Sequence, residues 1–292
     1  MSKPPPRTRR LAFLGTPDVA VPPLRALVDA GFDIPLVVTR PDKRRRRRGE
    51  PEPSPVKAAA LDLGIRVSDQ VDDVLDVDVP LAAVVAFGRL IKPHVLEHVP
   101  MVNLHFSLLP RWRGAAPVER AILAGDERTG ACLMEVVDEL DAGDVYACGE
   151  MAIGPDDTAD ELRARLTEVG TDLLVRTLEE GLPEARPQQG EVTYAEKITP
   201  DDLHLDWSRP AAELHRVIRV GGAWTIFRGA RLKVWRADLG DGGPAPGRLD
   251  GLSVGTGDGR LDLVEVQPEG HRRMDATAWA NGARPDAGEG LG

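Results

Sequence analysis

Leu81-Ala82-Ala83-Val84-Val85-Ala86-Phe87 is apolar at every position. A half-buried strand alternates apolar and polar residues. A short run without alternation therefore belongs inside a parallel sheet covered on both faces. Working outward from this run, strand-like and helix-like segments alternate. Before it, residues 10–15 read as a strand and 19–30 as a helix closed by Gly31. Residues 34–39 read as the next strand, and 54–63 as a helix closed by Gly64. After it, strands are expected at 102–106 and 132–137, with a helix at 116–124 between them. A longer helix over 157–180 is stopped by Gly181 and Pro183. This is the pattern of an α/β layer fold with an open, mostly parallel sheet.

Beyond a polar, proline-bearing stretch the pattern changes. A helix at 211–219 precedes short strands paired around glycine turns: 224–228 with 232–237 around Gly229-Ala230, and 252–254 with 261–266 around Gly257-Asp258-Gly259. Such spacing suggests a small β-barrel, closed by a helix at 275–281 that Gly282 ends. Four parts are expected: a flexible tail over 1–9, where Pro4-Pro5-Pro6 can join neither helix nor sheet interior, an α/β domain over 10–185, a linker over 186–203 and the barrel over 204–292.

Composition sets the outer limits. With 42% apolar and 29% charged residues, the chain is globular rather than disordered. Its apolar runs are strand-sized, too short to cross a bilayer, so no membrane association is expected. The cations near the N-terminus precede an apolar stretch too short for a signal-peptide core, and a cytoplasmic location is expected. Two cysteines, Cys132 and Cys148, are too few for a disulfide framework and read as reduced core residues. The formal charge of −10 gives no sign of a nucleic-acid partner, so any such reading rests on local patches.

Three motifs have plain structural explanations. Gly15-Thr16-Pro17-Asp18 lacks the later glycines of a dinucleotide fingerprint, and Thr16 reads as a helix cap with Pro17 in the first turn. His94-Val95-Leu96-Glu97-His98 spells an inverted zinc-protease pattern, but Pro93 and Pro100 bound a short helix and no third ligand stands nearby, so no metal is expected. Ser54-Pro55-Val56-Lys57 has a serine–lysine spacing without its companion elements, and fits a capped helix start.

One constellation is sharper. Asn103 and His105 lie two apart on an expected strand, so their side chains share a face. The loop from Ser107 to Gly114 is rich in special residues, and Val137-Asp138-Glu139-Leu140-Asp141-Ala142-Gly143-Asp144 is dense in carboxylates. Parallel neighbouring strands would bring Asp141 and His105 together at their C-terminal ends, where open α/β sheets bind ligands. On spacing alone two readings stand: a catalytic group, or a satisfied core histidine beside a solvated acidic turn.

At these residues a family resemblance enters. Asn103-Leu104-His105, Ser107-Leu108-Leu109-Pro110 and Leu140-Asp141-Ala142-Gly143-Asp144 resemble the signature of the folate-dependent formyltransferases. Arg111-Trp112-Arg113-Gly114-Ala115-Ala116-Pro117, Gly15-Thr16-Pro17-Asp18, Ser54-Pro55-Val56-Lys57 and Gly222-Ala223-Trp224-Thr225 look like the methionyl-tRNA branch of that superfamily, and the likeness runs from about Leu11 to Ala283. The resemblance implies a Rossmann-like catalytic domain followed by an OB-like, tRNA-binding barrel. It implies 10-formyltetrahydrofolate as co-substrate, methionyl initiator tRNA as acceptor and no metal. A monomer is expected.

The family's catalytic trio maps onto Asn103, His105 and Asp141. Asn103 and His105 would offer donors to a developing oxyanion, His105 would move a proton, and Asp141 would orient the imidazole and favour its charged form. Folate contacts would include Ser107, Leu108, Leu109 and Pro110, with Phe87, Gly88, Leu90, Ile91, Val137 and Leu140 walling the pterin pocket. The run Arg44, Arg45, Arg46, Arg47 and Arg48 would touch the acceptor stem, and Arg216, Arg219 and Lys233 would contact tRNA from a locally basic stretch on the barrel that also holds Arg209, Arg228, Arg231 and Arg236.

Two departures bear on tRNA contacts. The arginine run is followed by Gly49-Glu50-Pro51-Glu52-Pro53 without the family's usual Pro-Ala-Gly lead-in, and a segment before Gly222-Ala223-Trp224 is short. A sugar-nucleotide N-formyltransferase would share the trio, but the basic barrel and the loop after Arg111 favour tRNA. A glycinamide-ribonucleotide formyltransferase would not need the barrel. A non-catalytic RNA-binding protein would have no reason to keep all three trio residues.

Overall fold

The computed structural model describes residues 4–42 and 52–292. The arginine run at 44–48 lies outside them. The chain divides into two compact units. The first comprises Met1–Pro117, Arg128–Ala152 and Arg163–Glu196, and the second Val118–Glu127, Ile153–Leu162 and Lys197–Gly292.

The first unit is built on β1 (Ala12–Gly15), β2 (Leu36–Val38), β3 (Arg66–Ser68), β4 (Ala82–Val85) and β5 (Met101–His105). Between them run α1 (Val21–Asp29), α2 (Pro55–Asp62) and the short α3 (Pro93–Leu96). The strands lie in the order β3-β2-β1-β4-β5, all parallel. β1, β2 and β4 are buried at every position, as expected for strands with both faces covered. Strand order reverses between β1 and β4, the switch point at which loops part and leave a crevice.

Local chemistry fixes the elements. A Cβ added at Gly15 would stand 2.8 Å from the Phe13 ring and 3.0 Å from the Val85 carbonyl, so only glycine lets β1 end there. Ser54 caps α2, its Oγ accepting the Lys57 N–H at 3.0 Å, with Pro55 in the first turn. Thr16, expected as a cap, is none. Its hydroxyl donates instead to the Phe87 carbonyl at 3.2 Å, tying the loop after β1 to the loop after β4.

Chain order continues through β6 (Arg113–Gly114), α4 (Pro117–Ala124), β7 (Arg128–Glu135), β8 (Val145–Ala152), α5 (Ala159–Glu180) and β9 (Tyr194–Ala195). β7 pairs antiparallel with β5, and β8 antiparallel with β7, which corrects the expectation that β7 is a parallel neighbour. The 106–127 connection, with α4 inside it, is long enough for either direction, whereas the nine-residue 136–144 loop joins β7 to β8 as an antiparallel hairpin. The same register places Cys132 opposite Cys148, and the two form a disulfide with a Cα separation of 4.2 Å. They are therefore bonded rather than reduced: direct cross-strand opposition, invisible in the spacing, puts the sulfurs together.

The second unit holds α6 (Ala211–Val220), β10 (Trp224–Phe227), β11 (Ala230–Gly240), β12 (Leu249–Asp250), β13 (Ser253–Gly255), β14 (Arg260–Pro268), β15 (Met274–Asp275) and α7 (Ala276–Ala283). Strand order is β10-β11-β14-β13-β12, with β15 on β14, all antiparallel. The circuit closes through the last residues. Ile226 and Gly292 exchange hydrogen bonds at 3.1 and 3.0 Å, Leu291 N–H donates to the Gly247 carbonyl at 2.7 Å and Leu249 N–H to the Glu289 carbonyl at 2.9 Å. A tail strand thus joins β10 to the start of β12, removing both open edges. Trp207, Leu214, Ile218, Val234, Leu261 and Trp279 are among the side chains that fill the interior, with Leu123 of α4 packed against them. Arg120, also on α4, forms a two-pronged pair with Asp202 at 2.8 and 3.2 Å, which holds that carboxyl at about 2.

Leu291 is buried at the seam. Leu291→Ala is expected to cost about 2–4 kcal/mol in the barrel's unfolding transition, measured by calorimetry. An unchanged transition would show that the seam carries no load.

Candidate active site

β5 ends in the residues of interest. Leu104 turns to one face, where Gly170 of α5 gives it room, while Asn103 and His105 share the other. Asn103 stands opposite Met134 and is half-buried, and His105 stands opposite Cys132 with 6% of its side chain exposed. The loop that follows is held by its own polar atoms. The Ser107 hydroxyl donates to the Arg111 carbonyl at 2.7 Å, and the Trp112 N–H donates to Thr193 Oγ1 at 2.9 Å. Trp112 takes a left-handed conformation, φ 66°, and its carbonyl lies 2.9 Å from His105 Nε2. A carbonyl only accepts, so Nε2 carries a hydrogen.

Nδ1 of His105 faces Asp141 Oδ2 at 3.6 Å. The register Val102↔Glu135 puts the end of β7 opposite the start of β5. The 136–144 connection must therefore turn back along the sheet face to deliver Asp141, a route that shared strand ends do not require. Asp141 pays for that turn with a left-handed backbone, φ 49°. Its Oδ2 accepts the Gly114 N–H at 2.8 Å, and Gly114 is itself placed by the pairing of β6 with β9.

The parallel strands β4 and β5 send their following loops off the same edge of the sheet. Phe87 is buried and Ile91 half-buried, while Gly88 is exposed with a positive φ. Leu90 is 83% exposed, and on the 136–144 loop Leu140 is 51% exposed beside half-buried Val137. Ser107 and Pro110 are buried, Leu108 and Leu109 half-buried. Leu108 lies over Gly130, where a Cβ would overlap it and the Gly149 carbonyl. Ala86, Trp112 and Asp141, three of the five non-glycine residues with positive φ among the described residues, belong to these loops. Such strain concentrates where loops are held for a task.

Tyr146 on β8 donates to Glu135 at 2.9 Å, and burial, reinforced by that carboxylate, pushes its hydroxyl far up, so it stays protonated. His94 meets Asp72 at 2.5 Å and His98 Nδ1 donates to the His94 carbonyl at 2.8 Å, so both histidines of the zinc-like motif have structural partners. Among the described residues no group of three or more His, Cys, Asp or Glu side chains is placed to hold a metal, and no helix is long and apolar enough to cross a membrane.

In the second unit, Arg219 gives its guanidinium to the Asp157 and Gly154 carbonyls, both at 2.8 Å, and burial lowers its pKa. Arg216 is half-buried beside Gly125. Lys233 lies over Trp235 on the outer face of β11. That face joins Arg231, of the basic stretch, and Trp224 to residues the sequence reading did not single out, His204, Trp235 and Arg273. Arg231 sits 4.2 Å over the Trp224 ring, His204 4.5 Å from it, and Arg273 3.2 Å over Trp235. Alternation along β11 was the available signal: Arg231, Lys233 and Trp235 share one face, and buried Leu232 and Val234 the other. A separate concavity of about 430 Å³ has its cations paired, Arg120 with Asp202 and Arg209 with Glu213. Gln188 and Thr193, which also escaped the sequence reading, hold the loops around His105 from a stretch that reads as linker.

An open α/β sheet followed in the chain by an antiparallel barrel is the arrangement of the formyl transferases. The family models agree: residues 9–178 match the formyl transferase domain and 197–284 its C-terminal domain. The methionyl-tRNA formyltransferase of Thermobifida fusca is 44% identical over 97% of this chain and 99% of its own. That of Symbiobacterium thermophilum is 42% identical over 96% and 94%. A solved structure of HypX from Aquifex aeolicus in complex with tetrahydrofolic acid shares the fold with a TM-score of 0.67 at 16% identity, over 93% of this chain and 46% of that one. This chain belongs to the methionyl-tRNA formyltransferase family, enzymes of folate-dependent one-carbon transfer.

Gly114 has φ 124°, and an added Cβ would lie 2.8 Å from the Ala195 carbonyl oxygen. Gly114→Ala is expected to cost about 1–3 kcal/mol in thermal unfolding and to lower formyl transfer. Wild-type values for both would show that the β6–β9 contact is not needed to hold Asp141.

Proposed function

We propose that this chain moves the formyl group of 10-formyltetrahydrofolate to the α-amino group of methionyl initiator tRNA, through Asn103, His105 and Asp141. The observation that carries this assignment is His105, held between the Trp112 carbonyl at 2.9 Å and the Asp141 carboxylate at 3.6 Å, on the face it shares with Asn103. The folate supplies the one-carbon group. Exposed Leu90 and Leu140, on loops whose backbones are left open by Gly88 and by the turn at Asp141, suit a flat ring with polar edges. Phe87, Gly88, Leu90, Ile91, Val137 and Leu140, with the Ser107–Leu108–Leu109–Pro110 loop, would hold it.

The amine must arrive neutral, which is within reach because an α-amino group titrates at about 7.7–8.0. Asn103 offers amide hydrogens where negative charge develops on oxygen. The Trp112 carbonyl fixes the imidazole plane and the hydrogen on Nε2. Nδ1, facing Asp141 without a direct hydrogen bond, is the edge at which a proton is exchanged as the amine is acylated. Asp141 acts through that ring by holding its orientation.

The first unit, expected from sequence as residues 10–185, is assigned the chemistry, and the barrel the tRNA. Arg231 on Trp224 and Arg273 on Trp235 form a surface of paired cations and rings suited to phosphates and unstacked bases, with Lys233 between them. Arg216 and Arg219 are less available, the second being bound to carbonyls. Arg44–Arg48 would extend the contact. A charged tRNA is made and used in the cytoplasm, so we place the enzyme there, working as a monomer.

Purified protein with 10-formyltetrahydrofolate is expected to formylate charged initiator tRNA and to leave charged elongator methionine tRNA unformylated. Asp141→Asn should lower kcat by about 10²–10⁴-fold with folate affinity unchanged. An undiminished kcat would remove the trio from the mechanism, and formylation of an amino-sugar nucleotide in place of tRNA would move the acceptor.

Arg231→Ala and Arg273→Ala should each raise KM for tRNA, flatten its salt dependence and leave kcat unchanged, measured by titration at several salt concentrations. An unaltered salt slope would exclude this face from the interface.

A further inference from the structure

The mechanism leaves one question open: what keeps Asp141 in a strained backbone conformation at the correct distance from His105. Gln188 lies in a stretch whose neighbours Pro187 and Gln189 are exposed, yet its own side chain turns inward and is half-buried. The backbone brings it there through a two-way bridge between Arg186 and Val145, with N–H to carbonyl distances of 2.8 and 2.9 Å. Its amide nitrogen donates to the Asp141 carbonyl at 2.8 Å and to the Gly143 carbonyl at 2.9 Å. Its amide oxygen accepts from Arg113 Nε at 3.1 Å and Nη2 at 2.8 Å.

That amide cannot turn over. Arg113 has only donors, so it must face Gln188 Oε1, and the nitrogen is then committed to the two loop carbonyls. Arg113 in turn is 7% exposed, and its remaining prong reaches Glu139, on the same loop, at 3.0 Å. A buried guanidinium tolerates little displacement, because moving it leaves a charge unanswered. The loop is thus gripped at Glu139, Asp141 and Gly143 from one anchored point.

We infer that Gln188 is a positioning residue for formyl transfer, setting the Asp141 backbone so that its carboxylate meets both the Gly114 N–H and the His105 ring. This rests on the assignment of Asp141 to the mechanism. Gln188→Ala is expected to lower kcat about 10- to 100-fold, the usual scale for a partner that orients a reacting group. KM for 10-formyltetrahydrofolate and for charged tRNA should change less than about 2-fold, a split that general unfolding would not produce.

Gln188→Glu keeps a partner for Arg113 but turns an acceptor toward two carbonyls, so it should lower kcat at least as far as Gln188→Ala while folding normally. Adding Gln188→Ala to Asp141→Asn should reduce kcat no further than Asp141→Asn does, because both act through one contact. Wild-type turnover in Gln188→Glu, or losses that multiply in the double variant, would overturn the inference. Full activity in Asp141→Asn itself would instead overturn the reading on which it stands.

Discussion

Arg113 carries its guanidinium to a place that water scarcely reaches, and the loops around His105 are arranged to answer that charge. Two of its nitrogens meet Gln188, a third meets Glu139, and the backbone of the same residue pairs with Tyr194 in the β6–β9 ladder. The next residue in the chain, Gly114, donates to Asp141. The preceding one, Trp112, accepts from His105. Three consecutive residues therefore set the imidazole, the buried charge and the carboxylate, so a displacement at any one is felt by the other two. A buried cation enforces geometry in this way, because its desolvation is compensated only while every partner stays in place.

This arrangement was legible in the sequence only in part, and the boundary is physical. The apolar run at 81–87 and the two-residue spacing of Asn103 and His105 are local signals, and both led to the right elements. The direction of β7 is not local. It depends on the end of β5 at which the chain re-enters the sheet after α4, and nothing in residues 128–135 records that. β8 alternates weakly and carries a glycine, so its pairing with β7 left no clear pattern either. The disulfide follows from that same pairing, which is why two cysteines sixteen residues apart looked unrelated. Gln188 was hidden for a different reason. Its stretch is polar and proline-bearing, features of a linker, while its contacts come from loops 45 to 75 residues away.

The second unit shows the same division. Glycine turns and short strands announced a barrel, and outward alternation on β11 could have revealed the face shared by Arg231, Lys233 and Trp235. Closure could not be read in advance. It depends on residues 289–292 lying between β10 and the start of β12, a contact whose members are forty or more residues apart. Basic residues alone were an uncertain guide. Arg219 counts as a cation in the composition but is bonded to carbonyls in the fold, whereas Arg231 rests on an indole at the surface.

The second unit draws on three separate stretches of chain, and this orders events during synthesis. Val118–Glu127 leaves the ribosome well before Lys197–Gly292 exists. Arg120 must wait 82 residues for Asp202, and Leu123 waits longer for the interior it packs against. At roughly 5–20 residues per second that is several seconds in which Leu123 and Arg120 await these contacts in the nascent chain. Folding of the N-terminal half as it emerges can complete the sheet but not the surroundings of α4. The order of translation thus leaves one short helix unsettled until the barrel is made, and its capture is a late event in the life of the polypeptide.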